Sequence, residues 1–582
     1  MEEERKRLFP DIENFEEAEE DMNDEMIKDQ ELEAQQQWSH PSEFLFSCIS
    51  MSVGLGNVWR FPTTAFQNGG GAFLIPYLIV LIFIGRPVYF LELALGQFSS
   101  LNSVAVWNMV PASKGIGYGQ LVSACYVATY YGSVMALTVY YLVMSFSKVL
   151  PWSVCDDAWA DENCVDSSST NVTYTDNLQS SSEQYYYRYV LHMKEDISDG
   201  IGLPDWRLAL CLLLFWVVLF FTVAWGIKSS GKVAYFTALF PYVSLVTLLL
   251  RGMTLPGAFD GMLYFITPNF KKLLDPYVWL AAVTQAFFSL SVGFGAVITL
   301  ASYNSFCHDI YRDAWIISLA DTFTSLLAGF TIFAILGNLA HQLDTNIEDV
   351  VRDGGGLAFV SYPDALAKFT WAPQLFAVLF FLMLFTLGIG SLTGTMGNVI
   401  GVITFNIPSG KRVYATLGIC ITNFLFGLIY ITPGGQWIMN LVDYFGGGFI
   451  TYVLVLLEVV SVSYIYGLKN FIRDLNFMTK RNLGLFWKFS WKYFIPVTLL
   501  TIFVQNMVHP VMPTVSGASF PQIAYVCGWI LASVAVGMVP ICLMHTVYHT
   551  QGDTLVQKLR DAFRPTTSWG PRNWKDRALW QK

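Results

Sequence analysis

The chain alternates between long apolar runs and short polar connections. Twelve of the apolar runs reach the length of about 17–25 residues that an α-helix needs to cross a bilayer. The longer runs have residues to spare for tilting or for continuing into water. An even number of crossings puts both chain ends on one side of the membrane. The runs lie near 44–67, 72–98, 119–150, 207–225, 232–252, 277–303, 313–340, 371–405, 412–430, 436–468, 491–509 and 521–546.

Two of these runs, the first and the sixth, are interrupted by glycine. The first contains Ser52-Val53-Gly54-Leu55-Gly56-Asn57, and the sixth contains Ser291-Val292-Gly293-Phe294-Gly295. Glycine-interrupted apolar segments at matching places in two halves of a chain point to the binding site of a transporter. The reason is that backbone groups freed by a helix break inside a bilayer must be satisfied by protein, water or a ligand. We predict that both segments unwind around a substrate and its ions.

Composition agrees with a membrane protein. Of the 582 residues, 54% are hydrophobic, 16% aromatic and only 13% charged, which excludes an ordinary soluble globular chain. Much of the net charge of −10 lies in residues 1–37. That segment is acidic and poor in apolar residues, and it has no apolar core or cleavage site of a signal peptide. We therefore predict a disordered, acidic cytoplasmic tail over 1–37.

Lysine and arginine in the short loops predict the orientation. They concentrate in the connections near 228–232, 411–412 and 469–488, whereas the long connection 151–206 is rich in acidic residues. Because basic residues favour the cytoplasmic side, both termini are predicted to be cytoplasmic in a multi-pass protein of the plasma membrane. Cys155, Cys164 and the glycosylation sequon at Asn171 lie in 151–206. A disulfide and an N-glycan both need a secretory compartment, so this loop is predicted to be extracellular.

The chain is accordingly divided into five parts. They are the tail 1–37, spans 1–5 with the extracellular loop in 38–252, spans 6–10 in 253–468, spans 11–12 in 469–547, and a cytoplasmic tail in 548–582. Within the third part, the loop 341–370 is either a folded lid or a spacer, and composition does not decide between them.

Charged residues inside apolar runs are candidate site residues. Arg60, Glu92, Asp321, Asp443 and Glu458 interrupt such runs, at a cost of about 2.5–3.5 kcal/mol for a charge at a helix centre. The alternative is that they lie at helix ends and reach toward water. Arg60 and Asp443 both fall toward the extracellular side, where they could pair across a pathway.

Motifs of enzymes and ATP-driven pumps are missing from the sequence. There is no P-loop, no metal-ligand spacing of histidine and cysteine, and no Gly-x-Ser-x-Gly nucleophile elbow. We therefore predict that the protein is not an enzyme, does not bind nucleic acid, and takes its energy from an ion gradient.

Several stretches together resemble the neurotransmitter:sodium symporter family, solute carrier family 6. They are Val53–Pro62, Gln67–Phe73, Glu92–Gln97, Tyr130-Tyr131, Pro151-Trp152, Gln285–Leu290 and Ala301–Asn304. The resemblance runs from about Trp38 to the end of the twelfth span. It implies an all-α membrane protein of twelve transmembrane helices. Spans 1–5 and 6–10 would form a 5+5 inverted repeat in which spans 1 and 6 are unwound, followed by two C-terminal helices.

The resemblance also implies a substrate site. The substrate carboxylate would meet the backbone amides of Leu55 and Gly56 and the hydroxyl of Tyr131, which suits the favourable field at the N-terminus of a half-helix. The full implied set is Ser52, Gly54, Leu55, Gly56, Val127, Tyr131, Phe288, Ser291, Phe294, Ser391 and Thr395.

Ion sites, a gate and a disulfide follow from the same resemblance. The first cation site would use Ser52, Asn57, Ser289 and Asp321, and the second would use Ser50, Val53, Leu387 and Ser391. A chloride site would use Tyr77, Gln285, Ser289 and Ser325, although chloride dependence itself is left open. Arg60 and Asp443 would form the extracellular gate, and Cys155 would pair with Cys164.

Gly54 selects the substrate class within the family. Amine-transporting members resemble this stretch but carry an aspartate at that position, which pairs with the amine. With glycine there, the substrate must bring its own carboxylate, as amino acids do. We therefore predict a neutral amino acid.

Other departures from the family concern ions and gating. Asp321 stands where the family usually has asparagine, and Gly390 stands where an aspartate or threonine usually completes the second cation site. Asp321 is either an ion ligand or a structural group that is protonated or salt-bridged. Gln35 removes a charge from the usual cytoplasmic gate, and Met51 lies beside the expected position of the substrate amine.

Asp321 and Gly390 together resemble the insect nutrient amino acid transporter branch, which includes potassium-coupled members. The resulting hypothesis is a secondary active symporter of neutral amino acids that works by alternating access. Sodium is the expected driving cation, and potassium is a second candidate. The alternatives are a sodium- and chloride-coupled carrier of GABA or a biogenic amine, and a substrate-gated channel or receptor without transport. The preferred amino acid, the stoichiometry and the oligomeric state are left open.

Overall fold

The structure is a computed structural model, in which residues 37–168, 178–194, 196–343, 346–347, 357–369, 371–405, 407–508, 513–515 and 518–581 are described. The acidic tail up to residue 36 and the sequon residue Asn171 lie outside the described residues.

The first half of the chain is helical from Pro41 onward, and polar side chains cap several helices. Asp205 accepts hydrogen bonds from the N–H groups of Arg207 (2.7 Å) and Leu208 (3.3 Å), which starts the helix that follows. The α-helices are α1 (Pro41–Ser52), α2 (Phe61–Gln67), α3 (Gly71–Val80), α4 (Arg86–Ser99), α5 (Lys114–Met144), α6 (Ser181–Gln184), α7 (Trp206–Val223), α8 (Ile227–Met253) and α9 (Ala258–Ile266).

The second half begins with a helix that is capped in the same way, because Asp275 accepts a hydrogen bond from Tyr277 N–H (3.0 Å). The α-helices here are α10 (Pro276–Leu290), α11 (Ala296–Ala301), α12 (Ile310–Leu343), α13 (Tyr362–Ala367), α14 (Pro373–Ile403), α15 (Ser409–Tyr430), α16 (Gly435–Val442), α17 (Ile450–Val460), α18 (Leu468–Thr479), α19 (Leu485–Phe489), α20 (Ile495–Val508), α21 (Gln522–His549), α22 (Leu555–Ala562) and α23 (Trp574–Gln581).

Shorter helical turns join many of these helices without a break. The π-helical turns are Gly56–Arg60, Leu81–Gly85, Tyr185–Val190, Leu357–Ser361, Asp443–Phe449, Ser461–Gly467 and Ser490–Phe494. The 3₁₀ turns are Ala105–Met109, Pro111–Ser113 and Phe270–Leu274.

Nine helices among the described residues are long and apolar enough to cross a membrane. Each coincides with one of the twelve predicted runs. They are Gly71–Ser99, Pro111–Met144, Trp206–Val223, Ile227–Met253, Ile310–Gln342, Pro373–Ile403, Gly410–Tyr430, Gly435–Thr479 and Gln522–His549. The predicted span 10, which ends at 468, continues as a helix to Thr479.

The other three predicted runs have a different form. Run 1 is divided between α1 and the helical turn that begins at Gly56, and run 6 is divided between α10 and α11. Run 11 consists of the π-helical turn Ser490–Phe494 and α20, and α19 directly precedes it. The two glycine-containing segments are therefore helix breaks, as their sequence predicts.

Helix packing places the two breaks at the centre of the molecule. Helix α5 packs against α14, α7 and α21, while α8 packs against α14, α12 and α1. Helix α11 packs against α4 and α14. The first break therefore adjoins α8 and α14, and the second adjoins α4 and α14.

Short strands and a disulfide order the loop between α5 and α7. Strands β1 (Cys164–Val165) and β2 (Gln179–Ser180) pair in parallel, and Cys155 is bonded to Cys164. The side-chain amide of Gln184 above all, together with the Asn163 N–H and Arg188, lowers the pKa of the Asp161 carboxyl below its ordinary value. A second pair of strands, β3 (Thr514–Val515) and β4 (Ala518–Ser519), is antiparallel.

The C-terminal tail folds back onto the helices, a role that its composition did not indicate. Trp580 Nε1 donates to Asp474 Oδ1 (2.8 Å), and Trp569 Nε1 donates to the Tyr466 hydroxyl (3.0 Å). Both tryptophan rings also contact Phe98 at the end of α4. The tail therefore lies against the end of the helix bundle to which the predicted basic loops belong.

Candidate functional site

A cavity of about 490 Å³ lies at the two helix breaks. All eleven residues of the predicted substrate site line it: Ser52, Gly54, Leu55, Gly56, Val127, Tyr131, Phe288, Ser291, Phe294, Ser391 and Thr395. We call it the first cavity. It extends past Arg60 and Asp443 toward Tyr186 and Tyr187, in the loop that carries the disulfide.

The second helix break is held open by polar side chains from neighbouring helices. Gly293 and Gly295 have φ angles of +82° and +74°, and the non-glycine Ser291 has +54°, a conformation that needs support from its surroundings. The Gly293 N–H donates to Glu92 Oε1 (2.6 Å), and Asn398 Nδ2 donates to the Phe294 carbonyl (2.8 Å). The freed backbone groups are thus satisfied by protein, as burial requires.

The end of the first cavity expected to take a carboxylate contains a buried hydroxyl. The Tyr131 hydroxyl faces the Ser391 side chain and the Leu55 N–H. It makes no hydrogen bond within usual geometric limits to the residues that the structure describes. Buried hydroxyl groups are nearly always paired. A hydroxyl group without a protein partner at a cavity wall is therefore suited to bind a ligand.

The space around Gly54 does not admit a side chain without rearrangement. A Cβ atom added at Gly54 would overlap the Ser391 hydroxyl oxygen and lie 3.7 Å from the Tyr131 hydroxyl. Any side chain here would therefore enter the space between the first break and α14.

The rest of the lining is mainly aromatic and aliphatic. The rings of Phe288 and Phe294 lie 5.7 Å apart and face Val127. Among the lining residues that the structure describes, Arg60 and Asp443 alone carry charge. Such a lining suits an apolar group rather than an ionised one.

Arg60 and Asp443 are paired, as the sequence suggested. Arg60 Nη1 lies 3.2 Å from Asp443 Oδ1, which also accepts a hydrogen bond from the Tyr130 hydroxyl (2.7 Å). The guanidinium carbon lies 4.0 Å from the centre of the Phe288 ring. The ion pair thus spans the first cavity next to the Phe288 ring.

The predicted first cation site is a buried hydrogen-bond network around Asp321. Asn57 Nδ2 lies 2.7 Å from Asp321 Oδ1, 3.0 Å from Ser289 Oγ and 2.9 Å from Ser325 Oγ. Ser289 Oγ donates to the same Asp321 oxygen (2.6 Å), and Asn57 Oδ1 accepts from Gly54 N–H (3.0 Å). Asn57, Ser289 and Asp321 are almost fully buried. The network therefore connects the first break directly to α10 and α12.

Three residues of the predicted chloride set belong to this network. The Tyr77 hydroxyl lies 3.3 Å from both Asp321 Oδ2 and Ser325 Oγ, and Ser289 is shared with the cation set. Gln285 lies to one side, where its Nε2 donates to the Gly56 carbonyl (2.9 Å). The hydroxyl donors expected for an anion are thus turned toward a carboxylate of the protein itself.

The predicted second cation site is closely packed. Ser50, Val53 and Leu387 are buried, and Ser391 Oγ donates to the Met51 carbonyl (3.2 Å). A Cβ atom added at Gly390 would overlap Ser50 Oγ and lie 2.7 Å from the Ser50 carbonyl oxygen.

Ser50 occupies the position that a Cβ atom at residue 390 would take. The Ser50 hydroxyl lies 2.7 Å from that of Thr237 in α8. A larger residue at 390 would therefore displace Ser50 and disturb its hydrogen bond to Thr237.

A second cavity of about 780 Å³ lies on the other face of α14. Its lining includes Ser50, Gly390, Gly394 and Gly397 as well as Lys228, Arg412 and Arg572. No aspartate or glutamate is among the described lining residues.

Met51 lies between the two cavities. It lines the first cavity, while Gly394 lines the second. The Met51 Sδ is 2.5 Å from the position that a Gly394 Cβ would take. The Met51 side chain is therefore part of the wall between the two cavities.

Sequence reasoning missed several residues that position the site. Thr237 and Asn398 act through hydrogen bonds to distant segments, and single polar residues in apolar helices gave no specific signal for them. Tyr130 belongs to a matched stretch, but its hydrogen bond to Asp443 was not predicted. Glu92 was singled out as an expensive intramembrane charge, and its task is to bind the Gly293 N–H.

The chain matches known proteins over nearly its whole length. Residues 35–550 match the model of the sodium:neurotransmitter symporter family. The chain is 50% identical over 561 residues to the sodium-dependent nutrient amino acid transporter 1 of Drosophila pseudoobscura pseudoobscura, covering 93% of this chain and 86% of that protein. It is 48% identical to the Drosophila melanogaster protein of the same name over 569 residues, which cover 93% and 88% of the two chains. The Drosophila mojavensis protein is 47% identical over 578 residues, 96% and 89% of the two chains. This chain therefore belongs to the sodium:neurotransmitter symporter family.

Proposed function

We propose that this protein is a sodium-coupled symporter of neutral amino acids that works by alternating access. The observation that carries the proposal is the first cavity. At one end it has the Tyr131 hydroxyl, which makes no hydrogen bond of usual geometry to the described residues, and at the other end it has apolar rings. The similar Drosophila proteins are named as sodium-dependent nutrient amino acid transporters. Members of a symporter family move solutes and are not enzymes.

A zwitterionic substrate fits the charges of the first cavity. Its carboxylate would accept hydrogen bonds from Tyr131 and from the backbone amides at Leu55 and Gly56. Gly54 adds no competing carboxylate, and Asp443 is already paired with Arg60. An apolar side chain would contact Phe288, whereas an additional charge on the substrate would be left without a partner.

The ions would bind beside the first break. A cation at Asn57, Ser289 and Asp321 would meet hard oxygen ligands, which sodium favours. One cation crossing 100 mV supplies about 2.3 kcal/mol, or about fifty-fold accumulation of substrate. Potassium at this site would meet the same ligands. Uptake measured with each cation, as described below, determines the preference between sodium and potassium.

Chloride coupling is proposed to be weak. The hydroxyl groups of Ser289 and Tyr77 are directed at Asp321, so a fixed negative charge stands where a chloride ion would be attracted. A second anion within a few ångströms would be repelled, since like charges in a buried site strongly disfavour each other.

The remaining parts of the proposal concern topology. We propose twelve crossings in a 5+5 inverted repeat followed by two C-terminal helices, in the plasma membrane. Both termini and the second cavity would be cytoplasmic, and the first cavity would open to the outside. The basic loops near 228–232 and 411–412 support this orientation.

Uptake in transfected cells or proteoliposomes tests the proposal. Labelled leucine and proline should accumulate when sodium is present outside, and choline should abolish their accumulation. Potassium replacement then measures cation preference. Accumulation of GABA or dopamine instead of amino acids would refute the substrate class. A substrate-gated current without labelled uptake would refute symport.

The role of Gly54 can be tested by charge alone. Because a side chain at Gly54 would overlap Ser391, we compare Gly54→Asp with the isosteric Gly54→Asn, both in a Ser391→Ala background. The aspartate should repel the substrate carboxylate and lower uptake at least about ten-fold below the asparagine variant, a difference of about 1.4 kcal/mol. Equal uptake by the two variants would contradict the proposed pose of the substrate.

A further inference from the structure

The second cavity has a marked excess of positive charge. Lys228, Arg412 and Arg572 line it, and its described lining residues include no acidic side chain. The Nε atom of Arg412 is buried without a hydrogen-bond partner among the described residues. Neither Lys228 nor Arg412 forms an ion pair within the described part of the chain. A cavity of this kind attracts a flexible or soluble anion.

The same chain carries a strongly acidic segment just before Trp38 in the sequence. Residues 1–36 contain fifteen aspartates and glutamates against four lysines and arginines, a net charge of −11, whereas the whole chain has −10. The rest of the protein is therefore close to neutral. The net negative charge of the chain comes from this segment alone.

The acidic segment is tethered at the cavity by Trp38. The Trp38 N–H donates to the Tyr303 carbonyl (3.2 Å), and its indole N–H donates to the Leu300 carbonyl (3.1 Å). Tyr303 and Leu300 both line the second cavity. Glu33, five positions before Trp38, can therefore reach no farther than about 17 Å from this anchor.

We propose that the acidic N-terminal segment of this chain binds in the second cavity and obstructs it. Its carboxylates form ion pairs with Lys228 and Arg412, and its bulk fills space that substrate and cation need when they leave the binding site. Three features support this occupant: its charge, its attachment at the rim, and a cavity volume of about 780 Å³ that admits several side chains. The segment is thus an autoinhibitory part of the transporter.

Crosslinking tests the binding directly and does not depend on the proposed transport function. Gly397 lines the second cavity, and an added Cβ would meet nothing within 4 Å, so a Gly397→Cys side chain would project into open space. In the full-length protein, Glu33→Cys with Gly397→Cys should be joined by a short bismaleimide, as detected by mass spectrometry of the linked peptides.

A matched cysteine pair controls for random collision. A Cβ at Gly484 also meets nothing within 4 Å, but Gly484 does not line the second cavity. The Glu33→Cys and Gly484→Cys pair should crosslink at least about five-fold less. Exposed Cys307 is replaced by serine in both variants. Equal crosslinking of the two pairs would overturn the proposal.

Uptake measurements test the obstruction, and this part does rest on the proposed function. Replacing the fifteen acidic residues of 1–36 by asparagine and glutamine should raise the maximal uptake rate about two- to five-fold at an unchanged external KM. Arg412→Gln should raise it similarly, while the exposed neighbour Lys411→Gln, outside the cavity lining, should not. Salt at about 0.5 M should weaken the crosslink, because exposed charges are screened.

Failure of this proposal is distinguishable from failure of transport. Crosslinking without any amino acid uptake would refute the symporter and retain the bound segment. Normal uptake without crosslinking, with a rate that depends on anionic lipid in the vesicles, would assign the second cavity to a lipid headgroup and overturn the proposal.

Discussion

The two proposed cation sites lie on either side of the first helix break, and they are built differently. Among the four residues of the first, Asn57 and Ser289 both donate hydrogen bonds to the carboxylate of Asp321, at 2.7 Å and 2.6 Å. The second has backbone groups and the two hydroxyl groups of Ser50 and Ser391, with no carboxylate among its four proposed residues. In a medium of low dielectric constant, a cation binds best where a fixed negative charge already stands.

Under the proposed function, this difference predicts that Asp321 carries most of the ion coupling. The second set offers only dipoles, and a side chain at position 390 would overlap Ser50. Of the two departures from the family, the one at 321 adds a carboxylate and the one at 390 leaves none.

The largest predicted effect is at Asp321. Asp321→Ala removes the acceptor for Ser289, Asn57 and Tyr77, and each buried donor left unpaired costs about 1–3 kcal/mol. Sodium-driven uptake should fall at least about a hundred-fold. Surface biotinylation separates lost coupling from lost folding.

Asp321→Asn is the sharper variant at this site because it keeps the shape and removes the charge. We expect the half-saturating sodium concentration, or the preference between sodium and potassium, to change at least about ten-fold. The KM for the amino acid should change by less than about three-fold. Unchanged cation preference would make Asp321 a purely structural residue.

A smaller effect is predicted at Gly390. The Cβ of Gly390→Ala would overlap Ser50 Oγ, and overpacking of this kind costs about 1–3 kcal/mol. We expect the half-saturating sodium concentration to rise about ten-fold. Adding Ser50→Ala to the Gly390→Ala variant should lower the half-saturating sodium concentration only partly. The reason is that the Ser50 carbonyl oxygen would still lie 2.7 Å from the new carbon.

Gly397→Ala is the control for this substitution. It lies on the same helix, and its added carbon meets nothing within 4 Å. Sodium titrations of uptake should show no change for Gly397→Ala. If Gly390→Ala behaves like this control, the second site is not sensitive to packing and the contrast between the sites is weaker than we infer.

The smallest predicted effect concerns chloride. Replacing external chloride by gluconate should reduce uptake less than about two-fold, because Asp321 already accepts the hydrogen bonds of Ser289 and Tyr77. The same replacement should reduce uptake by Asp321→Asn much more. Strong chloride dependence of the unsubstituted protein would show that the Asp321 carboxylate does not replace a bound chloride ion.

Much of this architecture could be predicted because membrane burial constrains the sequence so strongly. Apolar runs of sufficient length predicted the nine long helices, since backbone groups in lipid must be paired within the helix. Gly54 and Gly293 marked the breaks for the same reason. The cost of intramembrane charge singled out Arg60 and Asp443 as candidates that could pair, and the family resemblance implied that they form a gate.

The remainder depended on contacts that no local pattern records. Nothing around Ser50 indicates that its hydroxyl meets Thr237 beside Gly390. Likewise, Gln285 sits in a motif of the family, yet its amide donates to the Gly56 carbonyl. The sequence predicted only a cytoplasmic tail over 548–582, and the fold shows that Trp569 and Trp580 in this tail dock on Tyr466 and Asp474. Such contacts depend on how helices distant in sequence are arranged.

The wall at Met51 has a consequence for efficiency. A symporter conserves the energy of its gradient only while no continuous water path joins its two sides. The Met51 side chain, packed against Gly394, is part of the barrier between the two cavities. Under the proposed function, loss of this side chain would weaken that barrier and favour an ion leak that is not coupled to substrate.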